Sequence, residues 1–120
     1  MLKPELKRWD CTDHDPIETW VPDGSEVLYW LTLGIGLAGS EAADNFEVCV
    51  ATPAGLRSSN GRRFRPRGSA EPLAIVLQSY SWAEVLVEVQ TRLDACTGSD
   101  WLEVQEKLRT QFLWEYEGMR

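Results

Sequence analysis

The sequence predicts an α+β domain, with a mainly antiparallel β-sheet and two α-helices packed on one face. Three observations lead to this class. Strand-like apolar and alternating stretches fill the first half of the chain, two capped stretches with helical periodicity follow, and an aromatic strand pattern closes it. A length of 120 residues is enough to bury one core, so we expect a single domain over residues 1–120.

Three predicted strands lie in the first half. Residues 6–11, LKRWDC, form the first. Residues 26–35, EVLYWLTLGI, are almost continuously apolar, which is typical of a strand covered on both faces. Residues 45–51, NFEVCVA, alternate, which places three side chains on one face: Phe46, Val48 and Val50. The second and third strands should form a hairpin with a long loop.

Helix signals follow the hairpin. In TPAGL (52–56), a Thr cap precedes a Pro at the first helical position, so we expect a short helical turn. Ser81 and Glu84 form a capping box, and Asp100 and Glu103 repeat the pattern. The apolar stripes of the two helices are Trp82, Leu86, Val89 and Leu93, then Trp101, Val104 and Leu108. Gly98 lies near the expected end of the first of these helices.

Two further strands are predicted around the helices. The Arg-rich stretch 57–72 is interpreted as a loop, and LAIVLQSY (73–80) as a strong strand. QFLWEYE (111–117) alternates aromatic and acidic residues, which predicts a final strand with one exposed face. The expected core comprises Trp30, Leu31, Leu33, Val48, Val50, Ile75, Leu77, Leu86 and Val89.

Charge is unevenly distributed along the chain. The formal net charge is −7, and no Lys or Arg occurs between Arg8 and Arg57. Residues 57–67, RSSNGRRFRPR, then carry five Arg and no acid. We expect one surface with a negative and a positive region. The overall charge argues against nucleic acid as the main partner, because phosphate binding relies on Lys and Arg.

The stretch CTDHDPIETWVPDGSE (residues 11–26), here called the acidic segment, is the main candidate for partner binding. We expect its carboxylates to steer a basic partner and Trp20, close to two prolines, to anchor it. The alternative, that Trp20 belongs to the core and the acids are only solvated, stays open. Glu115 and Glu117 on the last strand form a second candidate surface. The candidate carboxylates of the acidic segment are Asp13, Asp15, Glu18, Asp23 and Glu26.

Other chemistry finds little support. GIGLAG matches a dinucleotide-binding pattern, but too few residues follow it for a crossover helix, so a hairpin loop is favoured. His14 is the only histidine and has no second ligand cluster. Cys11 beside acidic residues lacks the electropositive setting of a reactive thiolate. We therefore predict no enzyme activity, no catalytic or metal-binding residues and no cofactor.

Localisation is predicted from what the chain contains. Three widely spaced Cys show no disulfide or zinc pattern, which favours reduced thiols. The N-terminus has no signal peptide, and no apolar stretch is long enough to span a membrane. We expect a cytoplasmic protein without a membrane partner; self-association stays open.

Several stretches, in order, resemble the immunity protein 8 family of bacterial polymorphic toxin systems. They are LKRWDC, then VPDGSEVLYWLTLGIG, then FEVCVATPAGL, a later W-x-x-V-x-x-x-L pattern and a terminal WEYE. The resemblance spans essentially the whole chain, and its most specific pieces are VCVATPAGL and FLWEYE. The Arg-rich stretch 57–67 is not part of it.

The resemblance implies an antidote that binds and neutralises a cognate toxin domain stoichiometrically, without chemistry of its own. The toxin would be basic, and a nuclease is one candidate. The alternative reading is a small nucleic-acid-binding or regulatory module that uses the Arg57–Arg67 loop.

Overall fold

The computed structural model describes residues 1–59 and 74–115. In this part of the chain the order of elements agrees with the prediction, with one added 3₁₀ helix over Ile17–Thr19. The strands are β1 (Pro4–Asp10), β2 (Leu28–Leu37), β3 (Asp44–Ala51), β4 (Ile75–Val76) and β5 (Leu113–Trp114). The helices are α1 (Pro53–Ser59), α2 (Trp82–Asp94) and α3 (Trp101–Leu108).

The strands form one sheet in the order β1-β2-β3-β4, with β5 also paired to β3. The β1–β2, β2–β3 and β3–β5 pairs are antiparallel, whereas β4 runs parallel to β3. Two short strands share one edge of β3, because β4 pairs with Val50 and Ala51 and β5 pairs with Phe46 and Glu47. The predicted α+β class with a mainly antiparallel sheet is confirmed.

The glycines of GIGLAG belong to the β2–β3 hairpin, as the hairpin interpretation expects. A Cβ atom added at Gly36 would lie 1.9 Å from the carbonyl oxygen of Ala42, and Gly34 lies beneath the side chain of Arg8. Gly39 has φ +86°, a conformation that favours glycine in the turn. These three positions therefore serve close backbone approach and chain reversal.

One face of the sheet carries the core. Leu31 lies opposite Val48 and Leu33 opposite Phe46, and all four side chains are buried. Helices α2 and α3 cover this face with buried side chains that join the same cluster: Val85, Val89, Leu93, Val104 and Leu108. The placement agrees with two helices packed on one side.

Both predicted helix caps are confirmed. Ser81 Oγ accepts a hydrogen bond from the backbone N–H of Glu84 at 3.4 Å, and Asp100 Oδ1 accepts one from Glu103 at 2.9 Å. The side chain of Glu103 returns the contact by accepting from the backbone N–H of Ser99 at 2.7 Å. Each cap satisfies an N–H group that the helix itself leaves without a partner.

The predicted stripe of α2 is partly wrong. Val85, Val89, Arg92 and Leu93 are its buried residues, while Leu86 is only half-buried. Trp82 packs edge-to-face against Trp9 of β1, with ring centroids 5.6 Å apart, and the helix buries Val85 rather than Leu86. Gly98 does not end the helix. It forms an isolated antiparallel bridge with Leu2.

Two predicted core residues on strands are half-buried. Trp30 alternates with Leu31 and Tyr29 and so lies on the opposite face of the sheet, across from Cys49. Leu77 follows β4 and packs at the margin of the core. The remaining predicted core residues are buried as expected: Leu31, Leu33, Val48, Val50, Ile75 and Val89.

Predicted element lengths near β3 also need correction. Of the predicted strand 73–80, residue 73 lies outside the described residues, and within 74–80 the strand comprises only Ile75 and Val76. The N–H of Leu77 still donates to the carbonyl of Ala51 at 2.9 Å, after which the chain bends at 78–79 and Tyr80 meets Tyr29. Residues 111–112 continue the turn after α3, with the N–H of Phe112 donating to Leu108, so β5 begins at Leu113. Helix α1 extends to Ser59, into the stretch predicted as a loop. Residues 60–73 and 116–120 lie outside the described part of the chain.

Candidate functional site

The acidic segment connects β1 to β2 and is held by apolar residues spaced along it. Cys11, Ile17 and Val27 are buried in the main core cluster. Between them the chain forms the 3₁₀ helix, in which the N–H of Trp20 donates to the carbonyl of Ile17 at 3.3 Å. The segment therefore touches the core near its start, its middle and its end, which fixes the positions of the exposed residues between these points.

An aromatic cluster, formed by His14, Trp20, Tyr29 and Tyr80, supports the middle of the segment. The rings of His14 and Trp20 stack with centroids 3.8 Å apart and an interplanar angle of 14°. Trp20 also meets Tyr29 at 5.9 Å and Tyr80 at 5.4 Å in edge-to-face geometry. Such pairs add stabilisation beyond their buried area, so the two rings of the segment are held against the fold.

The two tyrosines of the aromatic cluster are joined by a hydrogen bond. Their hydroxyl oxygens are 2.8 Å apart, linking β2 to the segment that precedes α2. Burial, followed by this hydrogen bond, raises the pKa of Tyr29. Burial also raises the pKa of Tyr80, although its bond to Tyr29 acts in the opposite direction. Both hydroxyls are therefore neutral and available for the hydrogen bond around neutral pH.

The end of the acidic segment is fixed by what we call the Thr52 corner, comprising Ser25, Val27, Thr52 and Gly55. Thr52 Oγ1 accepts hydrogen bonds from the N–H of Val27 at 3.0 Å and of Gly55 at 3.2 Å, and donates to the carbonyl of Ser25. The backbone N–H of Thr52 donates to Val27 at 2.9 Å. One side chain thus caps α1, as predicted, and also holds the entry to β2.

Gly55 completes the Thr52 corner. A Cβ atom at this position would lie 1.9 Å from the carbonyl oxygen of Val27, a distance that excludes any side chain. The TPAG sequence of residues 52–55 therefore has a packing role. It lets α1 approach the backbone at the end of the acidic segment.

A groove of about 530 Å³ opens between the aromatic cluster and the Thr52 corner. His14 and Trp20 contribute one part of its lining, and residues 22–28 contribute the rest. Two exposed carboxylates, Asp23 and Glu26, belong to this lining. The groove therefore combines an aromatic wall with negative charge.

The structure places all five candidate carboxylates of the acidic segment at the surface. Asp23 and Glu26 line the groove, while Asp13, Asp15 and Glu18 are exposed elsewhere on the segment. Within residues 1–59 and 74–115, none of the five forms an ion pair. The sequence left open whether Trp20 belongs to the core or to a binding surface. In the structure it packs against the core and also lines the groove.

The second candidate surface lies elsewhere. The N–H of Glu115 donates to the carbonyl of Asn45 at 3.0 Å, at the start of β3, whereas the Thr52 corner follows the end of that strand. Asn45 and Thr52 are seven positions apart along extended chain, roughly 23 Å. The structure thus does not bring Glu115 together with the groove. Glu117 lies outside the described residues, as do four of the five arginines of the 57–67 stretch; Arg57 is exposed on α1.

Nucleophilic or metal chemistry finds no geometric support in the segment. Burial raises the pKa of the Cys11 thiol; hydrogen bonds from the backbone of His14 and Asp13 lower it, but the net direction is upward, which opposes formation of a thiolate. In the described part of the chain, no group of three or more His, Cys, Asp or Glu side chains is arranged to hold a metal ion. None of the described helices is long and apolar enough to cross a membrane.

Sequence reasoning missed one buried polar residue, Arg92. Its guanidinium donates to the carbonyl of Gln111 at 2.9 Å and of Ala74 at 3.1 Å, and it contacts Glu88 at 3.3 Å. Burial lowers the pKa of this group. It links α2 to the two chain segments that lead into β4 and β5. Its burial could have been predicted from its position on the same face of α2 as Val85 and Val89.

The groove and the tyrosine pair were also missed. The groove is lined by residues between His14 and Leu28, but their positions depend on contacts with the distant Tyr80 and Thr52. Tyr29 and Tyr80 are separated by 51 positions, and no local sequence pattern predicts their contact.

Comparison with known proteins gives one match. The family model described as immunity protein 8 matches residues 4–119, nearly the whole chain. No curated protein and no solved structure matches it. The match supports a role as an immunity protein and suggests a non-enzymatic one. The chain therefore belongs to the immunity protein 8 family.

Proposed function

We propose that this protein neutralises a cognate bacterial toxin domain by stoichiometric binding, through the surface formed by the acidic segment. It acts in the cytoplasm of the cell that it protects and transforms no substrate. The carboxylates attract a basic face of the toxin, and Trp20 with the groove provides the packed part of the contact. If the toxin is a nuclease, these carboxylates occupy the positions that substrate phosphates would take.

One observation carries the proposal: five exposed carboxylates lie on a segment that is anchored to the core, and none forms an ion pair within the described residues. Because these carboxylates are exposed and form no ion pair within residues 1–59 and 74–115, their negative charge can attract an approaching basic molecule. Complementary charge raises association rates by about 10- to 1,000-fold at low ionic strength. Because the segment is already ordered, little conformational entropy is lost when a partner binds.

The test uses charge reversal with a matched control. Asp13, Asp15 and Glu18 are changed together to Lys, and in a second variant Glu84, Asp94 and Glu106, exposed acids of α2 and α3, are changed to Lys. Both variants change the net charge by the same amount. The partner is the toxin domain encoded beside this chain, and association rates are measured at several salt concentrations.

The acidic-segment variant should associate at least about tenfold more slowly at low salt, and the difference should shrink as salt screens the charges. The control variant should lose much less. Equal losses in both variants would show that only net charge matters. Co-production of the toxin domain with the wild-type chain should restore growth, and unrelieved toxicity would reject the proposal as a whole.

A further inference from the structure

The groove beside the acidic segment has features that the proposed function does not by itself explain. Its volume of about 530 Å³ exceeds what one small side chain would fill, and it is open to solvent. The residues that line it in the described part of the chain include two carboxylates, Asp23 and Glu26, and no Lys or Arg. A positively charged group would therefore meet no repulsion from the lining itself.

The aromatic wall of the groove is rigid. His14 stacks on Trp20 at 3.8 Å, and Trp20 is held in turn by Tyr29 and Tyr80. The opposite side is held by Thr52, which hydrogen-bonds the backbone of Ser25 and Val27 on either side of Glu26. The fold therefore positions the rings and the backbone around Glu26 before any partner arrives.

We propose that this groove receives an arginine side chain from the toxin. The inference rests on the proposed function and names the chemistry of the contact. A guanidinium is planar and weakly hydrated, stacks on aromatic rings and donates paired hydrogen bonds to carboxylates. Trp20 and His14 supply the rings, and Asp23 and Glu26 supply the acceptors. A lysine ammonium is a compact, strongly hydrated point charge that uses the ring surface less well.

The open shape selects a protein segment over a free small molecule. Pockets that hold small molecules surround most of the ligand and are predominantly apolar, whereas this groove opens to solvent. His14, which lines it, is flanked in the sequence by the exposed Asp13 and Asp15. An arginine on a protruding basic segment can enter the groove while its neighbours face those carboxylates. The surrounding negative charge attracts the toxin, and the arginine in the groove then fixes the position in which the two proteins bind.

A probe experiment tests the chemistry without the toxin. His14 is the only histidine, so its ring signals in NMR report on the groove without ambiguity. N-acetyl-arginine amide, at constant ionic strength, should shift these signals in a saturable way, and N-acetyl-lysine amide should bind several-fold more weakly. An equal response to both amides, or none to the arginine amide, would overturn the inference.

Two charge-neutralised variants locate the response. Asp23→Asn with Glu26→Gln should abolish the saturable shift, while Asp13→Asn with Glu18→Gln, which removes the same charge outside the groove lining, should retain it. Circular dichroism checks that both variants fold. Equal weakening by the two pairs would mean that the probe senses net charge alone, which would also overturn the inference.

The same pairs separate this inference from the proposed function when the toxin domain is used. The groove pair should weaken toxin binding at least about tenfold, since removing the partner of a buried charge raises the dissociation rate. The outer pair should affect mainly the association rate. Unchanged affinity in the groove pair would reject the arginine contact and leave the immunity function intact. Failure of the wild-type chain to bind the toxin domain would reject both.

Discussion

The Thr52 corner and the acidic segment adjoin each other but differ in how their polar groups are used. In the corner, the hydroxyl of Thr52 uses its donor and both acceptor positions, and Gly55 lies against a backbone carbonyl. In the segment, the carboxylates are exposed and have no ion pairs within the described residues. The corner is held by hydrogen bonds and close packing, whereas the acids of the segment are exposed at the surface.

The Thr52 corner positions the acidic segment, and the exposed carboxylates of the segment are the groups that a partner would meet. The stretch VCVATPAGL, among the most specific pieces of the family resemblance, contains Thr52 and Gly55 and has a structural role in this chain. It holds Ser25 and Val27 and so determines where the end of the acidic segment lies. Variants in the corner should therefore change stability first, and variants of the exposed acids should change binding first.

The largest effect on stability is expected for Gly55→Ala. Helix propensity alone predicts a gain of roughly 1 kcal/mol for this change in α1. The added Cβ would instead lie 1.9 Å from the Val27 carbonyl oxygen, so we expect a net loss of about 3 kcal/mol in the free energy of unfolding. Denaturant unfolding measures it. The matched control is Gly24→Ala, which has no heavy atom within 4 Å of the added Cβ and should change stability by less than about 0.5 kcal/mol. A neutral Gly55→Ala would contradict the close approach.

Thr52→Val comes next in size. The change keeps the shape of the side chain but leaves the N–H groups of Val27 and Gly55 without their acceptor, at a cost of about 2 kcal/mol. Thr52→Ser keeps the hydroxyl and should cost less than 1 kcal/mol, roughly the value of one methyl group. If Val and Ser were equally tolerated, the hydroxyl would have no role in holding the segment.

The tyrosine pair, which supports the segment from below, should give a smaller and pH-dependent effect. Tyr29→Phe removes the hydroxyl contact with Tyr80, and we expect a loss of about 1 kcal/mol at neutral pH. Burial raises the pKa of Tyr29 in the folded state above the value of about 10 in the unfolded chain. The folded protein therefore holds this proton more tightly, and its contribution to stability is complete below pH of about 10 and decreases as the pH rises further.

Unfolding free energies measured from pH 7 to 11 check this sign. Stability of the wild type should fall with rising pH, and the slope should be smaller in Tyr29→Phe. Burial also raises the pKa of the Cys11 and Cys96 thiols, which adds a decline of the same direction to both proteins. Burial raises the pKa of Tyr80 as well, so the difference between the two slopes reports the loss of the Tyr29 hydroxyl together with the loss of its hydrogen bond to Tyr80. Identical slopes would mean that Tyr29 titrates alike in the folded and unfolded chains.

The sequence was most informative where local rules act alone. Ser81 and Asp100 were identified as caps because capping depends on residues three positions apart. The strand β2 was identified from its almost continuous apolar run and β3 from its alternation, both of which are local patterns. The acidic segment was found from composition alone. Even the choice between hairpin and nucleotide-binding loop at GIGLAG could be made by counting the residues to the next strand.

Sequence reasoning failed where distant residues compete for one position. The predicted strand 73–80 has strong local propensity, but the edge of β3 is shared with β5 and Tyr80 is hydrogen-bonded to Tyr29. Within its described residues 74–80, the strand is therefore limited to Ile75 and Val76. The sequence suggests a surface position for Arg92 because its side chain is charged. Its burial depends on hydrogen bonds to the carbonyls of Gln111 and Ala74, which lie far from it in the sequence. The groove arises in the same way, from ring contacts and from hydrogen bonds to Thr52, 25 and 27 positions from its two partners.

The smallest effect on stability should come from the exposed acids themselves. Asp13→Asn, Asp15→Asn and Glu18→Gln should each change the free energy of unfolding by less than about 0.5 kcal/mol, since none forms an ion pair within the described residues. Any combined change should be stabilising at low salt, because the segment carries negative charge without a Lys or Arg, and it should vanish at high salt. The triple variant should nevertheless associate more slowly with the toxin domain. Residues kept for binding are expected to contribute little to stability or to oppose it. A triple variant that is markedly destabilised would instead place these carboxylates in the fold, and the contrast with the Thr52 corner would no longer hold.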